Sequence, residues 1–389
     1  RAVKHYLDRN AFTSVSSYDF IRAVEEATGQ NLDWFFDQWL FKAGYPQLSV
    51  TQRWNDTTST LLLTLRQEQE MDSLTGVFIL PMDIECTTSG GKTLQKLWMS
   101  TRDTTLAIRL PEPPRMVIVD RGMKVLKKLT FEKSSKDWIY QLLHAEDIVD
   151  RMAAAKALKA FPGDTAVYEA LRYAALNDPF WAVRREATIY LGVMNHGGVK
   201  EAMFRIARDK KSSVRTAAVV ALEKFPSEDV SRFLQDVLQS DSSYMVRASC
   251  LESLGEVDSA AALRRALQYV DRESYRGILR RAALRVLRAL KRPEALTVAV
   301  RYARPGNPSD IRSLALGILG EEGENDSLAR SLVFKYTEDS NSTIRRVAVR
   351  TLAQWGGGEV KEFLTRRRDT ESDPDVRKAI ESALEDIDR

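Results

Sequence analysis

The sequence predicts a multidomain chain of α and β parts: a short helical segment, a small antiparallel β-sandwich, and an α-α superhelical solenoid of about eight repeats. Three observations predict it. An arginine returns every 31 to 33 residues, as Arg151, Arg184, Arg215, Arg247, Arg280, Arg312, Arg345 and Arg377. Seven residues after each stands a leucine: Leu158, Leu191, Leu222, Leu254, Leu287, Leu319, Leu352 and Leu384. Before that array, over 47–132, the apolar period drops to two, and before that again an aromatic-rich helical pattern occupies 1–46. The expected domains are 1–46, 47–132 and 133–389.

In the first segment, Asp19 with the Phe20, Val24, Ala27 spacing marks a helix that Gly29 can close. Asn31 or Asp33 can cap a second helix, whose face carries Leu32, Phe35, Phe36, Trp39 and Leu40. Gly44 and Pro46 end it. So much aromatic surface on one short helix implies packing against a larger body.

Strands are expected at Leu48–Trp54, Leu61–Leu65 and Phe78–Cys86, then around Leu94–Met99, Leu106–Leu110, Met116–Val119 and Val125–Phe131. Pro81 lacks the donor a central strand needs, so its strand is expected at an edge or a bulge. Gly90-Gly91-Lys92-Thr93 has a strand after it rather than a helix, and cysteine where a phosphate loop needs its first glycine. It reads as a hairpin turn.

From Ser134 the helical period holds to the end. Each unit has one helix starting near the recurring arginine and one upstream, such as 165–176, 229–239 or 258–269. The residue before the arginine is aliphatic in every unit except at Asp150, and the residue three after it is small except at Ile380. Small residues let helices approach, and the leucine fills the space between units. Pro162-Gly163, Gly197-Gly198, Pro226, Gly255, Pro293, Gly320 and Gly356–Gly358 are expected to stop helices, and Asp178-Pro179 and Asp373-Pro374 to start them. The signature resembles HEAT repeats of the short form. That resemblance implies a structural ladder, with each arginine meeting Asp or Asn in the turns of adjacent units. A stripe binding phosphate or an acidic partner is the competing reading of the same residues. The lock to the repeat favours the ladder, and neighbouring basic residues such as Arg185, Lys210, Lys211, Arg281, Arg346 and Arg366–Arg368 read as solvated faces.

Composition excludes several function classes. A formal charge of +4 over 389 residues does not argue for nucleic acid. No run approaches the roughly 20 apolar residues of a membrane span. Cys86 and Cys250 read as buried small hydrophobes. His5, His144 and His196 share no metal-ligand spacing, and no nucleophile elbow occurs, so the expected catalytic and metal residues are none.

The stretch Thr28–Leu40, containing Trp34-Phe35-Phe36-Asp37-Gln38-Trp39, followed by Gly44-Tyr45-Pro46, resembles the end of the catalytic domain in the aminopeptidase N family of zinc metallopeptidases. Phe78–Ile84 is similar to the characteristic strand of the sandwich that comes next in that family. The resemblance implies that Trp34, Phe35, Phe36, Gln38, Trp39, Gly44 and Pro46 are structural signature positions closing a thermolysin-like domain. The His-Glu-x-x-His helix and the Gly-x-Met-Glu-Asn motif of the family do not occur here. The resemblance therefore implies a C-terminal region, non-catalytic alone, whose parent carries the zinc upstream. Its expected partners are the rest of its own catalytic domain and, in the parent, peptide substrates. The alternative is a protein-binding scaffold on a zinc-less peptidase frame, a role the family fills in the general transcription factor TFIID.

Overall fold

The computed structural model describes residues 1–388. The chain forms two compact units, Arg1–Tyr190 and Leu191–Arg389.

The first unit opens with helices α1 (Ala2–Arg9), α2 (Ser17–Thr28) and α3 (Asp33–Phe36), the last running into a π-helical turn, Asp37–Phe41. Ser16 and Asp19 form a reciprocal capping box on α2, and Gly29 closes it at φ 70°, where a side chain would be strained. Asn31 takes part at the start of α3 by accepting the Asp33 amide, but Leu32 holds the capping position.

Seven strands come next: β1 (Gln47–Asn55), β2 (Thr60–Gln67), β3 (Leu80–Thr88), β4 (Gly91–Met99), β5 (Asp103–Arg109), β6 (Met116–Val119) and β7 (Lys128–Phe131). They build two sheets, ordered β5-β2-β1-β7 and β4-β3-β6. Alternate residues of both sheets, from Leu48, Leu63 and Leu65 on one to Leu80, Ile84 and Met99 on the other, meet in one core. One expectation needs correction and one needs refining. The sandwich is not purely antiparallel, because β7 pairs parallel to β1 through Leu48 opposite Leu129. And although β3 is the middle strand of its sheet, the stretch that carries Pro81 has an edge on one side, as expected for proline. Proline is tolerated because β6 pairs only with Ile84–Thr87, so beside Pro81 just one neighbour, β4, is present.

Helices α4 (Ser135–His144), α5 (Ile148–Leu158), α6 (Thr165–Asn177) and α7 (Trp181–Leu191) continue from the sandwich. The outward side chains Met116 and Ile118 of β6 are buried with Ala145 and Tyr140 at the end of α4. A seam of charge accompanies this contact. Glu85, almost fully buried, receives Arg121 at 3.1 Å and Lys92 at 3.5 Å. Arg121 also reaches Glu146 at 2.8 Å and Asp147 at 2.9 Å. Asp150, the one polar residue at the position before a ladder arginine, accepts the Gly122 amide at 3.1 Å. Burial pushes its carboxyl up to about 6, with Asp147, Glu85 and Asp120 adding to the effect.

A raised carboxyl pKa means that the folded chain holds a proton the unfolded chain releases, so stability is lost as pH rises from about 4 through 6. Asp150→Asn is therefore expected to stabilise the protein at pH 7.5 by roughly 1–3 kcal/mol and to change little at pH 4. Urea unfolding at the two pH values measures it; equal effects at both would show that ionisation of Asp150 is not the cause.

The second unit comprises α8 (Val199–Ile206), α9 (Ser212–Ala221), α10 (Glu228–Ser240), α11 (Tyr244–Val257), α12 (Ser259–Tyr269) and α13 (Ile278–Leu290). It continues with α14 (Pro293–Tyr302), α15 (Ser309–Glu322), α16 (Ser327–Tyr336), α17 (Ser342–Trp355), α18 (Gly357–Thr370) and α19 (Pro374–Ile387). Each recurring arginine sits in the first turn of an odd-numbered helix. Leu222, Leu254, Leu287, Leu319 and Leu352 are fully buried, as are Ala218, Cys250, Ala283, Ala315, Ala348 and Ile380 three residues after the arginines. Leu384 is half-buried.

Two of the expected breaks do not break. Gly255 lies inside α11 and Gly320 inside α15. At Gly320 the reason is close approach: a Cβ there would stand 2.8 Å from Gln354 Oε1 and 3.0 Å from Thr351 Cγ2 of α17. Its carbonyl accepts the Trp355 indole N–H at 2.8 Å. Asp373-Pro374 starts α19 with Asp373 capping. Asp178-Pro179 does not start α7, which begins at Trp181; Asp178 instead closes α6 and faces Arg151. Among the described residues no helix is long and apolar enough to cross a membrane.

Candidate functional site: faces of the helical array

The ladder arginines do one job by two routes. The side chain turns back from the first helical turn to carbonyls at or just beyond the end of the preceding helix, where the helical ladder has run out. Arg151 donates to Ala145 and Glu146 O, both at 2.9 Å; Arg215 to Asp209 O at 2.9 Å; Arg345 to Asp339 O at 2.8 Å. Arg184 donates to Asp178 O at 2.9 Å and Arg377 to Glu371 O at 2.5 Å. Arg247, Arg280 and Arg312 reach Leu238, Val270 and Ala303 O through Nε.

The second contact differs among units. Arg151, Arg215, Arg312 and Arg345 pair with Asp178, Asp241, Asp339 and Glu371, which stand 26 or 27 residues later, in the next joint. Each of these acids also accepts the backbone amide two residues on: Phe180, Ser243, Asn341 and Asp373. Burial alone would raise Asp339 and Glu371, yet their arginines and these amides hold both carboxyls below the ordinary value. Among the described residues, Arg247 and Arg280 have no acid there. Their guanidinium groups lie over the rings of Tyr269 and Tyr302, at 5.5 and 5.0 Å. The tyrosine hydroxyls donate to the same carbonyls, Leu238 and Val270 O, that these arginines use. Arg184 and Arg312 are buried, Arg151, Arg215, Arg247, Arg280 and Arg345 are half-buried, and Arg377 is exposed.

The signature residues at the start seat the first helices on the sandwich. Gln38 is buried and holds the backbone of Ile79 from both sides, accepting its amide at 2.6 Å and donating to its carbonyl at 3.2 Å. Trp39 packs on Phe78, with centroids 5.6 Å apart. Gly44, at φ 79°, passes so close to Thr75 that a Cβ would lie 2.8 Å from its methyl group. Buried Pro46 gives its carbonyl to Lys128 N, starting the β1–β7 pairing. Phe36 is buried beside Phe20, and Trp34 meets exposed Trp98 edge-on at 5.1 Å. Phe35, Leu40 and Phe41 remain exposed. Sequence reasoning missed two further glutamines: buried Gln67 holds Phe78 through both its backbone groups, and Gln69 donates to Gln67. An isolated glutamine at an inward strand position was the available signal.

No catalytic constellation assembles among the described residues. His5 lies beside Glu26, His144 stacks on Tyr140 at 4.3 Å, and His196 accepts the Gly198 amide. Both cysteines are buried, and burial pushes Cys86 up to about 11. Among the described residues no three His, Cys, Asp or Glu side chains are placed to hold a metal.

Outside the ladder, the odd-numbered helices of the second unit expose another row. Between α13, α15 and α17 runs an open groove of about 660 Å³, walled by Arg281, Arg285 and Arg288 on one side and Arg350 on the other. Arg288 packs over Gly317, where a Cβ would stand 3.0 Å from its Nη1.

Comparison with known proteins agrees with this geometry. The family profile of HEAT repeats matches residues 168–255, 233–320 and 306–385. The TFIID subunit 2 of Drosophila melanogaster is 25% identical over 176 residues, covering 38% of this chain and 14% of that protein. The Gallus gallus counterpart is 23% identical over 176 residues, covering 38% of this chain and 15% of that protein. The chain thus spans about one-seventh of the length of these relatives. Among solved structures, Legionella pneumophila aminopeptidase A, crystallised with aspartic acid, superposes with a TM-score of 0.64 at 14% identity. That match covers 99% of this chain and 54% of the aminopeptidase.

Proposed function

We propose that this chain, which belongs to the HEAT-repeat family, is the C-terminal region of a zinc-dependent aminopeptidase, non-catalytic alone, whose helical array limits which peptides reach the active site. The observation that carries the reading is the likeness in fold to an aminopeptidase along 99% of the chain. The seating of Gln38 and Trp39 on the sandwich supports it, because it joins the aromatic helix to the sandwich in the order that the resemblance implies. The exposed rings of Phe35 and Phe41 and the side chain of Leu40 are apolar surface that such a domain would cover.

Among the described residues no three His, Cys, Asp or Glu side chains converge on a metal position. In this reading the zinc would be held by the rest of the peptidase. The array's part is mechanical. Stacked two-helix units, tied at each joint by the recurring arginine, would give a stiff surface against which a passing peptide is sorted.

A second reading has its own observation. The similarity to TFIID subunit 2 favours a scaffold that binds proteins rather than cleaving peptides. One comparison separates the two: hydrolysis of aminoacyl 4-nitroanilides and zinc content, measured for this chain and for the polypeptide encoded together with its upstream sequence. The peptidase reading expects stoichiometric zinc and turnover only in the longer polypeptide. Turnover by this chain alone would overturn it, and a longer polypeptide with neither zinc nor turnover would leave the scaffold.

A further inference from the structure

The register of the array breaks on one face of α19. In each of the seven units before it, the residue four after the ladder arginine is fully buried, from Ala155, Thr188 and Val219 to Leu284, Leu316 and Val349. In α19 that residue is Glu381, and it is exposed. The position faces the next unit. The Leu316 carbonyl of α15 accepts the Thr351 hydroxyl of α17, and Gly320, four residues further, lies against Thr351 and Gln354. At the place of Gly320, α19 carries Glu385, exposed as well. Asp388 is tied to Lys361 of α18, but no ion pair holds Glu381 or Glu385 among the described residues. The inner face of the same helix keeps the register, with Val376 and Ile380 fully buried. Leu384, whose counterparts are all fully buried, is half-buried, and exposed Arg377 meets the Glu371 carbonyl but no acid among the described residues.

We infer that α19 caps the array: its outer face keeps a further helix pair, and α19 of a second copy of this chain, from stacking on it. Desolvation is the physical cause. A helix laid on this face would strip water from two carboxylates at positions where inner units bury aliphatic or small groups. Charge adds to it. Face to face, each copy brings one arginine, Arg377, against two glutamates, so like charge is left over in any register. Lys378 does not offset it, because it lines the depression against α17 on the other side. An end unit carrying the residues of α17 there, Val349 and Ala353, would expose an apolar strip already shaped to receive a helix. At the first end of the array, Asp150 likewise replaces an aliphatic residue of the register, but it is buried, with its carboxylate on the Gly122 amide between β6 and β7. There the polar residue meets the sandwich; on α19 it meets water.

Self-association of this chain is the readout, so the outcome is independent of whether the parent is a peptidase. The test is sedimentation velocity over about 1–100 μM chain, with amide hydrogen exchange at both ends of that range to locate any contact. The wild-type chain is expected to show no association that protects α19. Association through the exposed rings of the first helices would be common to every variant and would leave α19 unprotected. The E381V/E385A double variant, which gives α19 the residues of α17, is expected to associate at least about tenfold more tightly than wild type. Exchange in α19 should then slow as concentration rises. E381K/E385K, which reverses the charge but still has to lose its water, should behave as wild type. So should E228V/E294A, the same change of composition at exposed positions of α10 and α14. Every substituted residue is exposed, and far-UV circular dichroism checks that each variant is folded. Protection of α19 in the wild type, no gain in E381V/E385A, or an equal gain in either control would each overturn the assignment.

Discussion

Replacing Asp120 by alanine is expected to destabilise the first unit by about 3–5 kcal/mol. Asp120 and Lys127 form an ion pair whose side chains are 0% and 1% exposed. Asp120 sits at φ 59°, a conformation its short polar side chain tolerates, and its carboxylate also accepts the amides of Lys124 and Val125. Alanine strands a buried ammonium with only the Val125 carbonyl at 3.4 Å, and removes the acceptor of two backbone amides. Lys127→Met is expected to cost less, since the carboxylate keeps those two amides. The double variant D120A/K127M should be more stable than D120A, because no unpaired charge is left. Urea unfolding of the three variants decides the matter. A Lys127→Met loss larger than that of Asp120→Ala would show that the amides, not the ion pair, are the minor partner in this loop.

Arg312→Ala is expected to cost a similar amount, about 3–5 kcal/mol, and to act on the second unit. The side chain is 7% exposed, donates from Nε to Ala303 O, grips Asp339 with both terminal nitrogens, and lies 5.1 Å from the Tyr336 ring centroid. Its removal leaves Asp339, 8% exposed, with the Asn341 amide alone. Arg312→Lys keeps the charge but loses the fork and the ring contact, so roughly half the loss should remain. Exposed Arg232, paired only with Glu228 on its own helix, should lose less than about 0.5 kcal/mol on becoming alanine. Because repeats contact mainly their neighbours, hydrogen exchange should quicken first in α15, α16 and α17. Uniform acceleration across the second unit, with no focus on those helices, would contradict the ladder as a set of local pins.

Arg312 and Asp120 were of unequal legibility. Arg312 announced itself by its place in the register, and so did the leucine and the small residue that come after it. Asp120 and Lys127 did not: a charged pair in a loop reads as solvated until β6, β7 and α4 close around it. Gln38 lay in a recognisable pattern, but that it would hold Ile79, 41 residues on, depends on how the first helices meet β3.

Periodicity by itself determined the change from helix to strand to paired helices, the faces that are buried, and the positions of the joints, because those arise from spacings within one turn or one strand. What crosses between elements was decided only by tertiary structure. Whether a ladder arginine finds an acid as well as a tyrosine ring, as Arg312 does, or the ring alone, as Arg280 does, depends on which residues the next elements bring to it. The parallel return of β7, the place of Pro81 in a middle strand, and the run of α15 through Gly320 have the same origin. Each is fixed by what a neighbouring element leaves unpaired or presses close, and no local spacing records that.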